Sequence, residues 1–302
     1  MKYLSLALRV LMAASAAFGA EPATAAPKTE SVPKSALPVV IDGNLGKDCW
    51  KNAPEFSGDF VGSKTGTKSD TPHMSVKYLW DDHYLYIGYE TFDANLVAVP
   101  KDEFQGPPNN RRQGCEIYDA KKDGAKVDVA EFFISFGDEH FCWELHHNAL
   151  NQFNDVLCVV PDPSWPVSKT TMVTYGIILA PNEWLQDEGE YTVATAVKLK
   201  PKADGKPSTV NDSSDVDTGY TGEIRLPWRA IGAPSAAQTW IENKPAPRQP
   251  GPWKMEGQTV SLLAVVQDGD LKERYHHSSP TRKPDWFHKT QPAWPLYIFS
   301  NP

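Results

Sequence analysis

Apolar and polar positions along the chain alternate in short runs, the period of strands that bury one face. Met74–Trp80 and Tyr84–Phe92 run this way on either side of the turn Asp81-Asp82-His83, and Val127–Phe136, Phe141–Leu145 and Val156–Val160 repeat the pattern. Further strands are expected at Met172–Leu179, Tyr191–Leu199, Thr221–Leu226, Val260–Gln267 and Leu296–Phe299. The longest helical signals span one or two turns, at Gly46–Ala53 and Trp228–Ile231. About ten short strands separated by turn signals predict an all-β fold, an antiparallel two-sheet β-sandwich of jelly-roll or immunoglobulin-like kind. Two long insertions interrupt it, a polar acidic loop at 200–219 and a Pro-rich one at 233–257. No repeat of fixed period is present, so the sandwich is read as one domain with insertions.

Composition sharpens this picture. The 302 residues include 26 prolines, which helix interiors and central strands exclude. A net charge of −8 leaves no basic stripe for a nucleic acid. At the N-terminus, Lys2 precedes an apolar stretch from Leu4 to Phe18 broken only by Arg9, and Ala17-Phe18-Gly19 and Ala23-Thr24-Ala25 offer cleavage points. Residues 1–26 read as a secretory signal peptide, with an uncleaved N-terminal anchor as the alternative. No later run of eighteen apolar residues exists to span a bilayer. The expectation is a secreted or periplasmic monomer, with 27–38 as a linker and 39–302 as the domain.

Export permits disulfides among Cys49, Cys115, Cys142 and Cys158. A hairpin turning at Asn148-Ala149-Leu150-Asn151 puts Cys142 opposite Cys158, which leaves Cys49 with Cys115; the alternative is buried free thiols. No zinc-type cysteine spacing occurs.

Several segments together resemble carbohydrate-binding module family 9. Val40-Ile-Asp-Gly-Asn-Leu-Gly-Lys-Asp-Cys-Trp-Lys-Asn-Ala53 is similar to that family's opening, and Val76–Ile87 to its paired strands around an Asp-rich turn. Asp93 stands where the family ends the second of these strands with Asp. Asp128-Val-Ala-Glu-Phe-Phe-Ile-Ser135, Glu144-Leu-His-His-Asn148, Gly222–Ile231 and Phe287–Phe299 follow in the family's order. The related haem-binding sandwiches share the architecture.

The resemblance implies a non-catalytic module that holds an oligo- or polysaccharide in a cleft on one sheet face. Aromatic rings would meet the C–H face of a sugar, and carboxylates, amides and Arg its hydroxyl edge. Carried over by position, the ligand residues are Asp93, Glu131, Glu144, His146, Asn148, Trp286 and His288. Glu144, His146 and Asn148 share strand parity and so one face. Glu131 is expected at least partly exposed on that face, and Trp286 as an exposed stacking platform. The chain departs from the family in two places: Lys122–Lys126 lacks the aromatic expected before the Glu131 strand, and His146 stands in place of an Arg. Trp165, Trp184, Trp240 or Trp253 would supply the second ring, whereas Trp50, Trp80, Trp143 and Trp228 read as core. Calcium is a family habit, and Asp212, Asp215 and Asp217 are its first candidates here, against a solvated loop. His146-His147 and His276-His277 form one metal site only if each pair contributes one ring.

Other functions are ranked lower. Glu131 and Glu144 would be the pair of a glycoside hydrolase, Met74, Met172 or Met255 an axial ligand of a haem-binding domain, and the long loops a cell-surface protein-interaction face.

Overall fold

The computed structural model describes residues 29–57, 60–62, 73–100, 127–137, 140–160, 178–180, 193–231, 253–269, 273–277 and 294–301. The segment 1–26 expected to be a signal peptide, and Cys115, Met172, Trp165, Trp184, Trp240, Trp286 and His288, lie outside them. Among the described residues, no helix is long and apolar enough to cross a membrane.

Two sheets face each other. The larger runs β1 (Thr29–Pro33), β14 (Leu296–Ser300), β12 (Thr259–Asp268), β6 (Val129–Ser135), β7 (Phe141–His147), β8 (Phe153–Val159) and β9 (Ile178–Ala180). Beside β14, a second stretch of β12 pairs with β13 (Glu273–His277), which carries β3 (Phe60–Gly62). The smaller sheet is β10 (Ala194–Leu199), β11 (Tyr220–Pro227), β5 (Tyr84–Thr91), β4 (Met74–Trp80) and β2 (Glu55–Ser57). Every pairing is antiparallel except β1 with β14. Two single-turn helices complete the described fold, α1 (Asp48–Lys51) and α2 (Trp228–Ile231). The all-β, antiparallel sandwich expected from the periodicity is therefore the fold the chain adopts.

Its main core lies between the sheets. Val76, Tyr78, Ile87 and Tyr89 of the smaller sheet pack with Ala130, Phe132, Ile134, Leu145, Leu262 and Ala264 of the larger. The rings of Tyr89 and Phe132 meet at 5.0 Å between centroids. Trp50, Trp80, Trp143 and Trp228 are all buried, as their apolar-patterned segments imply. Met74 and Met255 belong to the same inter-sheet core.

A second apolar cluster, Phe133, Cys142, Cys158, Leu263, Val265 and Trp294, covers the outer face of the larger sheet. β6 is consequently buried at every position. That feature matters for the site, because it places side chains of both parities out of water.

The linker reading of 27–38 gives way at Thr29–Pro33, which pairs in register with Leu296–Ser300. This strand is polar and only Val32 is fully buried, so hydrophobic periodicity carries no trace of it. β2 and β3, three residues each, and β13 are likewise strands the pattern does not announce.

Two nodes tie the landmark segments together. Glu223 of β11 is fully buried and accepts from the backbone N–H groups of Asp42 (2.9 Å) and Gly43 (2.7 Å), from the Trp50 indole (2.7 Å) and from Lys47 Nζ. Gly43 is required at this turn: its φ is +78°, and a Cβ would sit 2.7 Å from the carbonyl carbon of Val197. At the second node, the Trp228 indole donates to the carbonyl of Asp81 at 2.7 Å and its ring packs edge-on against Phe299, 5.1 Å between centroids.

Candidate functional site

The outer face of the larger sheet carries a polar cluster inside its apolar cover. Glu131 on β6 stands directly opposite His146 on β7, and His146 in turn opposes Asn154 on β8. Glu144, two residues before His146, shares its face by strand parity. Ligand atoms of Glu131, Glu144 and His146 all lie within 4.8 Å of one another. His146 Nε2 is 3.1 Å from Glu144 Oε1, and the Asn154 side-chain amide is 3.5 Å from His146 Nδ1. The Cys158 thiol donates to Glu144 Oε2 at 3.2 Å.

All three cluster residues are buried; Glu131 is 0% and Glu144 7% exposed. This corrects the expectation of a partly exposed Glu131. The reason is in its neighbours: Val129 and Phe133 share its parity, and the strand is apolar on both faces. Arg225 does not compensate Glu131, since its guanidinium lies over the Tyr84 ring (4.7 Å) on the smaller sheet. Burial pushes the Glu131 carboxyl up to about 8, with the Glu144 charge adding to the rise and His146 opposing it.

Cys142 and Cys158 stand opposite each other, the register that the hairpin arithmetic gives, but as free thiols rather than a disulfide. The Cys158 sulfur is engaged by Glu144 instead, and burial raises its thiol well above the usual range. Cys49 is also a free thiol, half-buried within α1. The expected disulfides therefore give way to free thiols at these three residues.

Asn148 is buried and committed to the hairpin turn. Its side-chain oxygen accepts from the N–H groups of Leu150 (3.1 Å) and Gln152 (3.2 Å), and its amide donates to Gln152 Oε1 at 2.6 Å. Adjacent His147 points into the core, where the Tyr89 hydroxyl meets its Nδ1 at 2.8 Å. His276 registers with Val265, three strands from His146 along one row. At about 4.8 Å per strand that is roughly 14 Å between backbones, too far for one metal to bridge both histidine pairs.

Asp93 sits elsewhere. With Asp128, just before β6, and Asp268, ending β12, it forms a cluster whose carboxylate oxygens lie within 4.8 Å. The three line a small cavity of ≈ 10 Å³, the size of one water or ion, together with His73 and Thr91. Asp128 accepts from the N–H groups of Val97 (2.6 Å) and Gly269 (2.8 Å). Burial, then the charge of Asp93, raises its carboxyl to about 8. Sequence reasoning did not join these residues; the available signal was an Asp at one end of each of three strands. The acidic loop is built otherwise. Asp212 caps Ser214, Asp215 pairs with Lys202 and Thr209, and buried Asp217 accepts from the N–H groups of Leu96 and Thr209. Those carboxylates organise the loop itself.

No protein-family model matches the chain, and no curated protein matches it significantly. Solved structures do. A provisionally named carbohydrate-binding protein from Bacteroides uniformis ATCC 8492 aligns with 91% of this chain and 100% of its own at 14% identity, with a TM-score of 0.53. A family 9 carbohydrate-binding module from Caldicellulosiruptor kristjanssonii, in complex with cellotriose, aligns over 91% and 95% at 13% identity and a TM-score of 0.46. The same organism's module with glucose gives 13% identity, 91% and 97% coverage and 0.44. The chain thus shares the sandwich architecture of the Bacteroides uniformis protein, the fold that the ordered sequence landmarks imply.

Proposed function

We propose that the protein is an exported, non-catalytic binder of an oligo- or polysaccharide, with its ligand on the outer face of the larger sheet. The observation that supports this most is the convergence of Glu131, Glu144 and His146, three residues assigned to that face by the family resemblance. Nearly closed off from water, they form the floor of the site. Its rim is assigned to Trp286 and His288. The non-catalytic reading is the one that the family resemblance implies.

A glycan array on the mature protein tests the class of ligand, and its silence across saccharides would remove the proposal. The platform is tested by Trp286→Ala. Stacking on an aromatic ring contributes about 1–3 kcal/mol for a base, and a sugar face is taken to be of the same order. Calorimetric titration should therefore find binding weakened by about one to two decades, with the melting temperature unmoved. A sharp drop in melting temperature would make Trp286 a core residue instead.

The resemblance also implies calcium, and Asp93, Asp128 and Asp268 fit it: three carboxylates around an ion-sized cavity are a hard, all-oxygen donor set. Bound there, the ion would supply charge to neutralise buried carboxylates and would fasten the end of β5 to β6 and β12. Calcium at a hundredfold excess over its dissociation constant should stabilise the protein by about 2.7 kcal/mol, and EDTA should reverse this. A melting curve indifferent to both would exclude the site.

A further inference from the structure

We propose that Glu131, Glu144 and His146 form a binding site for a divalent transition metal of the zinc type. Its donors differ from those of the acidic cluster at Asp93: one imidazole nitrogen and two carboxylates suit zinc and its neighbours, whereas calcium takes oxygen alone. The inference concerns the same sheet face as the saccharide reading but does not rest on it.

Three observations carry it. The ligands come from adjacent central strands, with Glu131 and His146 in direct register and Glu144 on the same face of β7. Such strands fix side chains more tightly than loops do. The donor atoms already lie within 4.8 Å of one another, the span of ligands around a single ion. Finally, groups outside the triad hold two of its members from behind. With its amide turned so that the oxygen faces the ring, Asn154 accepts from Nδ1–H of His146 and leaves Nε2 as the ligating nitrogen toward Glu144, and the Cys158 thiol takes Glu144 Oε2, leaving Oε1 turned toward His146. Metal-binding histidines and carboxylates are oriented in this way by second partners. With the ring proton held at Nδ1, the ion would occupy the space between Nε2 and Oε1. Three protein ligands leave a fourth position that a single bound water would fill.

The test is zinc titration of the EDTA-stripped, untagged mature protein by calorimetry. One zinc per chain is expected, with calcium failing to compete. Glu131→Gln and His146→Asn should each weaken zinc binding at least a hundredfold, and Asn154→Leu by about ten- to a hundredfold. Since buried variants can lose their fold, zinc-edge X-ray absorption on the unaltered protein gives a second measure. A shell of one imidazole with oxygen ligands supports the site. No zinc uptake, uptake unaffected in folded variants, or a shell without imidazole would overturn it and leave His146 and Glu144 as an ion pair only. Saccharide affinity measured with and without zinc keeps this outcome separate from the fate of the sugar proposal.

Discussion

Glu223→Ala is expected to destabilise the protein by about 3–5 kcal/mol, the usual consequence of removing one partner from a buried charge pair. The lost carboxylate leaves two backbone N–H groups and the Trp50 indole without their acceptor and Lys47 with only its partners in its own segment, the Asp42 carboxylate and the Val40 carbonyl. Those four donors belong to the Asp42–Trp50 segment, so the loss also frees α1 from the smaller sheet. Thermal melting should show a fall of roughly 10 °C. Glu223→Gln retains the shape and an acceptor oxygen but not the charge facing Lys47, and its melting temperature should fall between those of the parent and the alanine variant. A glutamine variant as unstable as alanine would show that charge, not hydrogen bonding, dominates this node. An alanine variant melting within 2 °C of the parent would remove the node from the account of stability altogether.

Trp228→Ala should be comparably severe, at about 3–5 kcal/mol, because a fully buried indole leaves a cavity that strands cannot collapse to fill. The ring supports Phe299 on the terminal strand, and its N–H satisfies the Asp81 carbonyl in the β4–β5 turn. Trp228→Phe separates the two effects. It keeps most of the packing and orphans the carbonyl, so about 1–3 kcal/mol should be lost in chemical denaturation. A phenylalanine variant equal to the parent would mean that the indole hydrogen bond contributes nothing net.

The contrast between these nodes and the ligand face explains what sequence could convey. Met74–Trp80 and Tyr84–Thr91 are legible because each packs strong apolar residues against the core and turns at an Asp-rich hairpin. Thr29–Pro33 is not, because its place depends on backbone pairing with a distant strand and on a single buried valine. Strand parity correctly gathers Glu144 and His146, and register adds Glu131. Their burial was foreshadowed only by Val129 and Phe133 around Glu131, a run apolar on both faces that marks a strand covered on both sides. Asn148 shows the limit of parity: it has the right alternation, but it sits one residue past the strand, where the turn claims its amide. Cys142 and Cys158 show another, since opposition across a hairpin fixes neighbours and not the bond between them. The Asp93, Asp128 and Asp268 cluster was hidden for a different reason. Its members meet only after three strands from both sheets have been laid side by side.

The parallel pairing of Thr29–Pro33 with Leu296–Ser300 has a consequence for the order in which the molecule is made. A chain emerging from its N-terminal side, whether from a ribosome or through a membrane pore, presents residues 29–33 long before their partner at 296–300. The first strand must wait as an unmatched ribbon while both sheets assemble without it. Loop-closure entropy grows only slowly with length, so the delay weighs little on equilibrium. It weighs on time, because contacts this remote in the chain slow the search for the native topology. Until the last strand arrives, the β12 edge that receives it stays open to pairing with other chains. The seam between β1 and β14 is therefore a natural late step of folding, and it closes an edge that would otherwise stay open to other copies of the chain.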